Sequence, residues 1–274
     1  MSIAPDDIVH WKTWAGRSEM RRERLDREAS RRFAAALGEN LDVERQQPSL
    51  GHWAFFLPVA AASEIDSDGH PKRGGLLPPV SLPRRMFAAA DIRVTAPLEL
   101  DKIACRTSTV IDVTHKAGRT GDLVLVQVEH LIEQDATVCV RERQTIVYRD
   151  AGAPTAALVA KEMERGGEDI VWQPRTVDLF RFSAATFNSH RIHYDQPYAR
   201  DEEGYPGLVV HGPFIAARLF RFAARKGAPS AFSFRAAAPI FAGQPVRLSA
   251  APDGKIVNAI RCDGVTAMSA EVTY

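Results

Sequence analysis

Cysteine is scarce. The chain of 274 residues holds three, Cys105, Cys139 and Cys262, an odd number with no CxxC pair. That excludes a disulfide framework and predicts a reducing, cytoplasmic compartment. Long apolar runs are missing too. The longest uncharged apolar stretch, near Trp53–Ser63, contains Pro58 and is too short to span a bilayer. Met1 to His10 carries Asp6 and Asp7 and no apolar core, so it is not read as a signal peptide. No membrane partner is expected. Charge of one sign is absent as well: Lys plus Arg is 35 against 34 Asp plus Glu, a formal net charge of +1. Such a balance excludes nucleic acid as the expected partner, though it permits a local basic patch for a small anion.

What is present is ordinary globular material, 45% hydrophobic and 25% charged, enough to offset chain entropy. From Trp11 to Leu37 the charges alternate in sign with i,i+4 partners, and Leu25, Ala29, Phe33 and Leu37 form a narrow stripe, which predicts one helix with a solvated charged face. Asp66 to Arg85 is punctuated by glycine and proline and reads as a long loop, a type more often functional than idle. Ile92–Ala96, Ile103–Thr114, Leu123–Glu133 and Thr137–Tyr148 read as antiparallel strands.

Asp150 to Gly167 reads as a linker. After it comes a short element at Ile170–Val177, then a polar loop around Phe187–Gly207. A helix spans Phe214–Lys226, and strands follow near Ser230–Ala238, Val246–Ala250, Ile256–Arg261 and Val265–Tyr274. Asp253-Gly254 and Asp263-Gly264 are hairpin turns. The same order of elements in 1–150 and 151–274 predicts an α+β chain of two similar halves whose sheets join. Exposed sheet edges commonly pair, so a homo-oligomer is expected.

The chemistry concentrates in Phe182 to Phe214, which carries His190, His193 and His211. Gly212-Pro213 opens the helix after it. Proline suits the first helical position, and a backbone N–H near Gly212 at a helix N-terminus would stabilise a developing oxyanion. A metal site fits poorly: Arg191 between His190 and His193 opposes a cation, and there is no HExxH or cysteine pair. A serine nucleophile fits less well still, since no GxSxG elbow exists.

The run FNSHRIHYD, followed by YPGLVVHGP, resembles the hydratase motif of the MaoC-like hot-dog enoyl-CoA hydratases and 3-hydroxyacyl-thioester dehydratases. Its closer likeness is to the branch of mesaconyl-C4-CoA and itaconyl-CoA hydratases. HWAFFLP and DGHPKRGGLLPPVSLPRRMF resemble the N-terminal half of that branch, so the likeness runs from about Trp11 to the end.

This resemblance implies a double hot-dog fold, two long helices each wrapped by an antiparallel sheet. It implies a catalytic second half and a first half that shapes the acyl pocket. It implies reversible hydration of a short-chain 2-enoyl-CoA thioester, dicarboxylic or branched (mesaconyl-C4-CoA or itaconyl-CoA type), to the 3-hydroxyacyl-CoA, with no cofactor and no metal. General 3-hydroxyacyl-thioester dehydration and acyl-CoA binding without catalysis are the alternatives. The family histidine falls on His193, while the family aspartate is replaced by Asn188, which cannot titrate but can orient a water. His193 would then carry the acid–base work, with His190, Asp195, Asp201 or Glu202 as helper and the Gly212 N–H receiving the oxyanion. A free substrate carboxylate would suit a guanidinium fork from Arg191, Arg84 or Arg85, with His190 and His211 also at the substrate.

Overall fold

The computed structural model describes residues 3–118, 121–152, 154–157, 160–164 and 166–274. Ten antiparallel strands form one sheet in the order β1-β3-β4-β5-β2-β7-β10-β9-β8-β6. The first half supplies β1 (Ser18–Arg24), β2 (Arg84–Val94), β3 (Ile103–Gly118), β4 (Gly121–Gln134) and β5 (Thr137–Arg149). The second half supplies β6 (Ile170–Trp172), β7 (Ala231–Ala236), β8 (Val246–Ala250), β9 (Ile256–Arg261) and β10 (Thr266–Thr273). The two sets meet at β2 and β7, where Ala90 pairs with Phe234 and Ile92 with Phe232. Gly254 and Gly264, at φ of 73° and 86°, take the left-handed conformation that the two Asp-Gly turns require.

The charged N-terminal run departs from expectation. It is not one helix but α1 (Pro5–Lys12), β1, and α2 (Arg27–Ala36). Ser18–Arg24 also has period-two alternation, and the open edge of β3 pairs with all seven of its residues. Ladder hydrogen bonds and a half-buried face outweigh the i,i+4 charge pairs, each of which is worth only ~0.2–0.5 kcal/mol. The face is not wholly solvated either, since Glu19 and Arg21 point into the interior cavity described below. Asp26 then caps α2 by accepting from the Glu28 and Ala29 amides, a contact worth ~1 kcal/mol.

In the second half β6 is followed by α3 (Thr176–Thr186), a helix lying between the short element expected at Ile170–Val177 and the polar loop expected around Phe187–Gly207. A six-residue helix α4 (Gln196–Asp201) interrupts the expected polar loop. The helix α5 (Gly212–Ala223) starts at the predicted glycine–proline pair. It is apolar nearly all round and buries Phe214, Ile215, Leu219 and Phe222 against β2 and β7–β10. Arg218 and Arg221 emerge from it and donate to the carbonyls of Leu37 and Gly38 at the C-terminal end of α2, where a cation complements the helix dipole.

The halves fill their concave faces differently. In the second, α5 occupies the sheet. In the first, α2 packs on α3 and on the 3-10 turn Gly51–Ala54 instead. The space left is a cavity of about 910 Å³ faced by residues of β1 to β5. The expected linker includes residues 153, 158–159 and 165, which lie outside those described; of the rest, the Thr155 amide donates to Gly204.

Candidate active site

His193 ends a 3-10 turn, Arg191–His193, and is 7% exposed. Its Nδ1 lies 2.7 Å from the Val209 carbonyl, which can only accept. Nδ1 therefore carries the proton and Nε2 holds the lone pair, in a ring that lines the cavity. Burial is the main force pushing its pKa well below the usual histidine value, helped by the neighbouring His211 and His190 and opposed by the Val209 bond. The ring rests on His211 with centroids 3.6 Å apart and planes 22° from parallel.

On the same cavity, Gly212 is the first residue of α5, and no side chain caps that end. Its amide is one of the orphan donors of the helix N-terminus. β2 has a bulge between Phe87 and Ala89, and a Cβ on residue 212 would stand 3.3 Å from the Phe87 carbonyl, so glycine lets the helix start close beside the cavity wall. Asn188 also lines the cavity. Its Oδ1 accepts from the His190 amide at 3.0 Å, which leaves the side-chain NH₂ and one carbonyl lone pair for a ligand.

His190, His193, Asn188, Gly212 and Arg85 thus share one cavity. Three other expected substrate contacts do not reach it. Arg84 is buried on the opposite side of β2, donating to the Glu203 carbonyl at 2.5 Å with its Nε 3.7 Å from the Glu203 carboxylate. Arg191 forks onto Asp195 Oδ2 at 3.0 and 2.8 Å and lies over Tyr198. His211 is fully buried beneath His193, with Nε2 2.8 Å from Ser183 Oγ. The candidate helpers Asp195 and Asp201 are likewise taken, by Arg191 and Arg200. Among the described residues Arg85 has no carboxylate ion pair, so it is the arginine of the three that remains available.

Residues of the first half that sequence reasoning passed over also border the cavity. His70 lies with its Nδ1 3.1 Å from Asp68 Oδ2 and its ring 4.1 Å from that of His190. Burial, and then Arg85, drive the His70 pKa down to about 3 against the pull of Asp68. Burial acts to raise the Asp68 carboxyl, yet His70 and Arg85 outweigh it and hold Asp68 below the usual carboxylate range. At the far wall, Glu142 accepts from Trp53 Nε1 at 3.1 Å and lies 3.1 Å from His52 Nε2. Burial works against its ionisation, but His52, His130 and Gln144 bring its pKa to about 2. Ligand atoms of Asp68, His70 and His190 lie within 4.8 Å of one another, a spacing a metal could use. The Arg85 charge beside His70 disfavours a cation there, and the Asp68–His70 hydrogen bond already uses two of the donors. The sequence signal for this wall was the DGHP motif, whose aspartate and histidine, two apart, carried no assigned role.

A sheet formed by two five-stranded halves, with a helix wrapped in one half and an open cavity in the other, defines a double hot-dog protein. Solved structures share that fold. A MaoC-like dehydratase from Phytophthora capsici aligns with a TM-score of 0.67 at 13% identity, covering 99% of each chain. A Mycobacterium tuberculosis protein described as having a double hot-dog fold aligns at 0.55 and 10% identity, over 94% of this chain and 95% of that one. Residues 49–242 match the family of hydroxyacyl-thioester dehydratases type 2. The mesaconyl-C(4)-CoA hydratase of Chloroflexus aurantiacus is 44% identical over 273 aligned residues, 96% of this chain and 97% of that protein. The chain belongs to the hydroxyacyl-thioester dehydratase type 2 family.

Proposed function

We propose that this protein hydrates a short 2-enoyl-CoA thioester bearing a free carboxylate, of the mesaconyl-C4-CoA type, to the 3-hydroxyacyl-CoA, and catalyses the reverse dehydration. The observation that carries the reading is the pairing of His193, with Nε2 unprotonated, and the uncapped N-terminus of α5 at Gly212 on one cavity. The likeness to the Chloroflexus hydratase supports the acyl class.

In this reading a water sits between His193 and Asn188. His193 Nε2 takes one proton from it as its oxygen bonds C3. The double-bond electrons move onto the thioester oxygen, where the Gly212 N–H and the α5 dipole stabilise the enolate. The proton on His193 then passes to C2. Because the imidazole is neutral in the resting site, it is ready to accept. Arg85 receives the substrate's free carboxylate.

The first half, residues 1–150, shapes the acyl pocket, and the second, residues 151–274, supplies His193 and the Gly212 N–H. We further propose a cytoplasmic homo-oligomer. The three cysteines form no disulfide, and among the described residues no helix is long and apolar enough to cross a membrane. Size-exclusion chromatography with light scattering tests the oligomer.

The function is tested by incubating the purified protein with mesaconyl-C4-CoA, itaconyl-CoA and crotonyl-CoA and following loss of the enoyl-thioester absorbance. Preference for the first two is expected. Preference for crotonyl-CoA would point to general fatty-acyl dehydration, and no turnover of any to an acyl-CoA-binding protein.

A further inference from the structure

The loop at residues 66–72 comes from the first half, yet it is fastened across the histidine loop of the second. The Arg191 amide donates to the Asp68 carbonyl at 2.9 Å. Ser189 Oγ donates to the Gly69 carbonyl at 2.5 Å, and Arg191 Nη1 donates to Ser67 at 3.0 Å. Gly69 has a φ of +90°, and a Cβ there would fall 1.9 Å from the Ser189 carbonyl oxygen. Only glycine allows this approach. The outcome is that His70 lies on His190, whose ring stands edge-on to His193 at 5.3 Å. Three imidazoles, one from the other half of the chain, therefore line one wall of the cavity.

His70 is oriented in the same way as His193. Its Nδ1 faces a carboxylate oxygen, so Nδ1 holds the proton and Nε2 the lone pair. We propose that His70, held by Asp68, is a second catalytic residue of the hydration, its Nε2 accepting one O–H of the attacking water while His193 Nε2 removes the other proton. This rests on the hydratase reading above. The water lone pair forms the C3–O bond, the double-bond pair moves to the thioester oxygen, and the His193 proton ends on C2. The hydrogen facing His70 stays on the product hydroxyl. No further reactant is required.

The assignment accounts for Asn188. A site whose own loop offers an amide instead of a carboxylate receives a carboxylate-backed acceptor from the other half. The groups facing His70 are Asp68 on its own loop, Arg85 from β2, and His190 with His193 behind it from the histidine loop. Arg85 and burial keep the ring neutral, as an acceptor must be.

The test uses the full-length protein, with wild type and His193→Ala assayed beside His70→Ala, His70→Gln and Asp68→Asn on mesaconyl-C4-CoA and crotonyl-CoA. For His70→Ala we expect kcat to fall by ~10²-fold or more with KM changed little, partial rescue by added imidazole, and an unchanged circular dichroism spectrum. His70→Gln, which keeps an acceptor, should retain more kcat than the alanine variant. Asp68→Asn should lower kcat by ~10-fold, because the carboxylate that holds the proton on His70 Nδ1 is lost. A His70→Ala protein that turns over within twofold of wild type while His193→Ala is inactive would overturn the role of His70 and leave the hydratase reading intact. Wild type inactive on every thioester would overturn both. Loss of activity in a chelator, restored by Zn²⁺, would make His70 a metal ligand and end the proposal. Should His70→Ala fail to fold, Asp68→Asn decides: an unchanged kcat there counts against it.

Discussion

His193 and Val209 are joined by a 2.7 Å hydrogen bond from the imidazole Nδ1–H to the backbone carbonyl. That bond fixes which nitrogen of the ring can accept a proton. Because Val209 also bridges to Phe241, the carbonyl that sets the tautomer belongs to the packed framework and not to a free loop. His193→Ala is therefore expected to abolish turnover, by ~10²–10⁴-fold, while the protein still elutes and melts as a folded species. Steady-state kinetics with a thermal melt check both halves of this statement.

The buried histidines make a prediction about pH. His70 and His211 have pKa values near 3, and His193 is also depressed. In the unfolded chain all three return to ~6.5. Below that pH the unfolded state binds more protons than the folded one, so stability falls as pH drops from ~6.5 toward 3. Urea midpoints at pH 7.5, 6, 5 and 4 should fall steadily, and replacing His211 by glutamine should flatten the slope. The same depression means that kcat/KM should show no acid limb near 6.5. An inflection there would contradict a neutral imidazole as the resting base.

Arg85 should decide acyl preference. Arg85→Ala removes a charge-assisted contact worth ~1.5–3 kcal/mol, so kcat/KM for mesaconyl-C4-CoA should fall by ~10–150-fold. The value for crotonyl-CoA, which has no second carboxylate, should fall by a smaller factor, set only by the loss of the Arg85 charge beside His70. Arg84→Ala behaves differently: it should lower the melting temperature, because Arg84 is buried against Glu203. Parallel assays on the two substrates and a melt of each variant separate these outcomes.

Gly69→Ala should be destabilising out of proportion to its size. The residue has a left-handed φ, and a Cβ added to it would fall 1.9 Å from Ser189 O, so a methyl group both strains the backbone and lifts the loop from Ser189. A loss of ~1–3 kcal/mol is expected. Gly75, where a Cβ meets nothing within 4 Å, is the control that should tolerate alanine.

The sequence by itself determined the local chemistry. The Asp-Gly turns, the strands of the second half, the glycine–proline start of α5 and the clustering of His190, His193 and Gly212 were all legible, because each depends on residues close in the chain. The two sets of strands and the family followed from the same signals. What tertiary structure decided were contacts between distant segments. Ser18–Arg24 carries a helical charge pattern and a strand alternation at once, and only the open edge of β3 selects the strand. Arg84 and Arg85 look equivalent in sequence, but strand alternation sends one to Glu203 and the other to the cavity. Arg191 looked like an anion receptor until Asp195, one helical turn on, took its fork. His70 gained a role only when a loop some 120 residues from Ser189 was laid across the histidines. Periodicity and turn chemistry act over a few residues, whereas the partner of a buried charge is chosen by the whole fold.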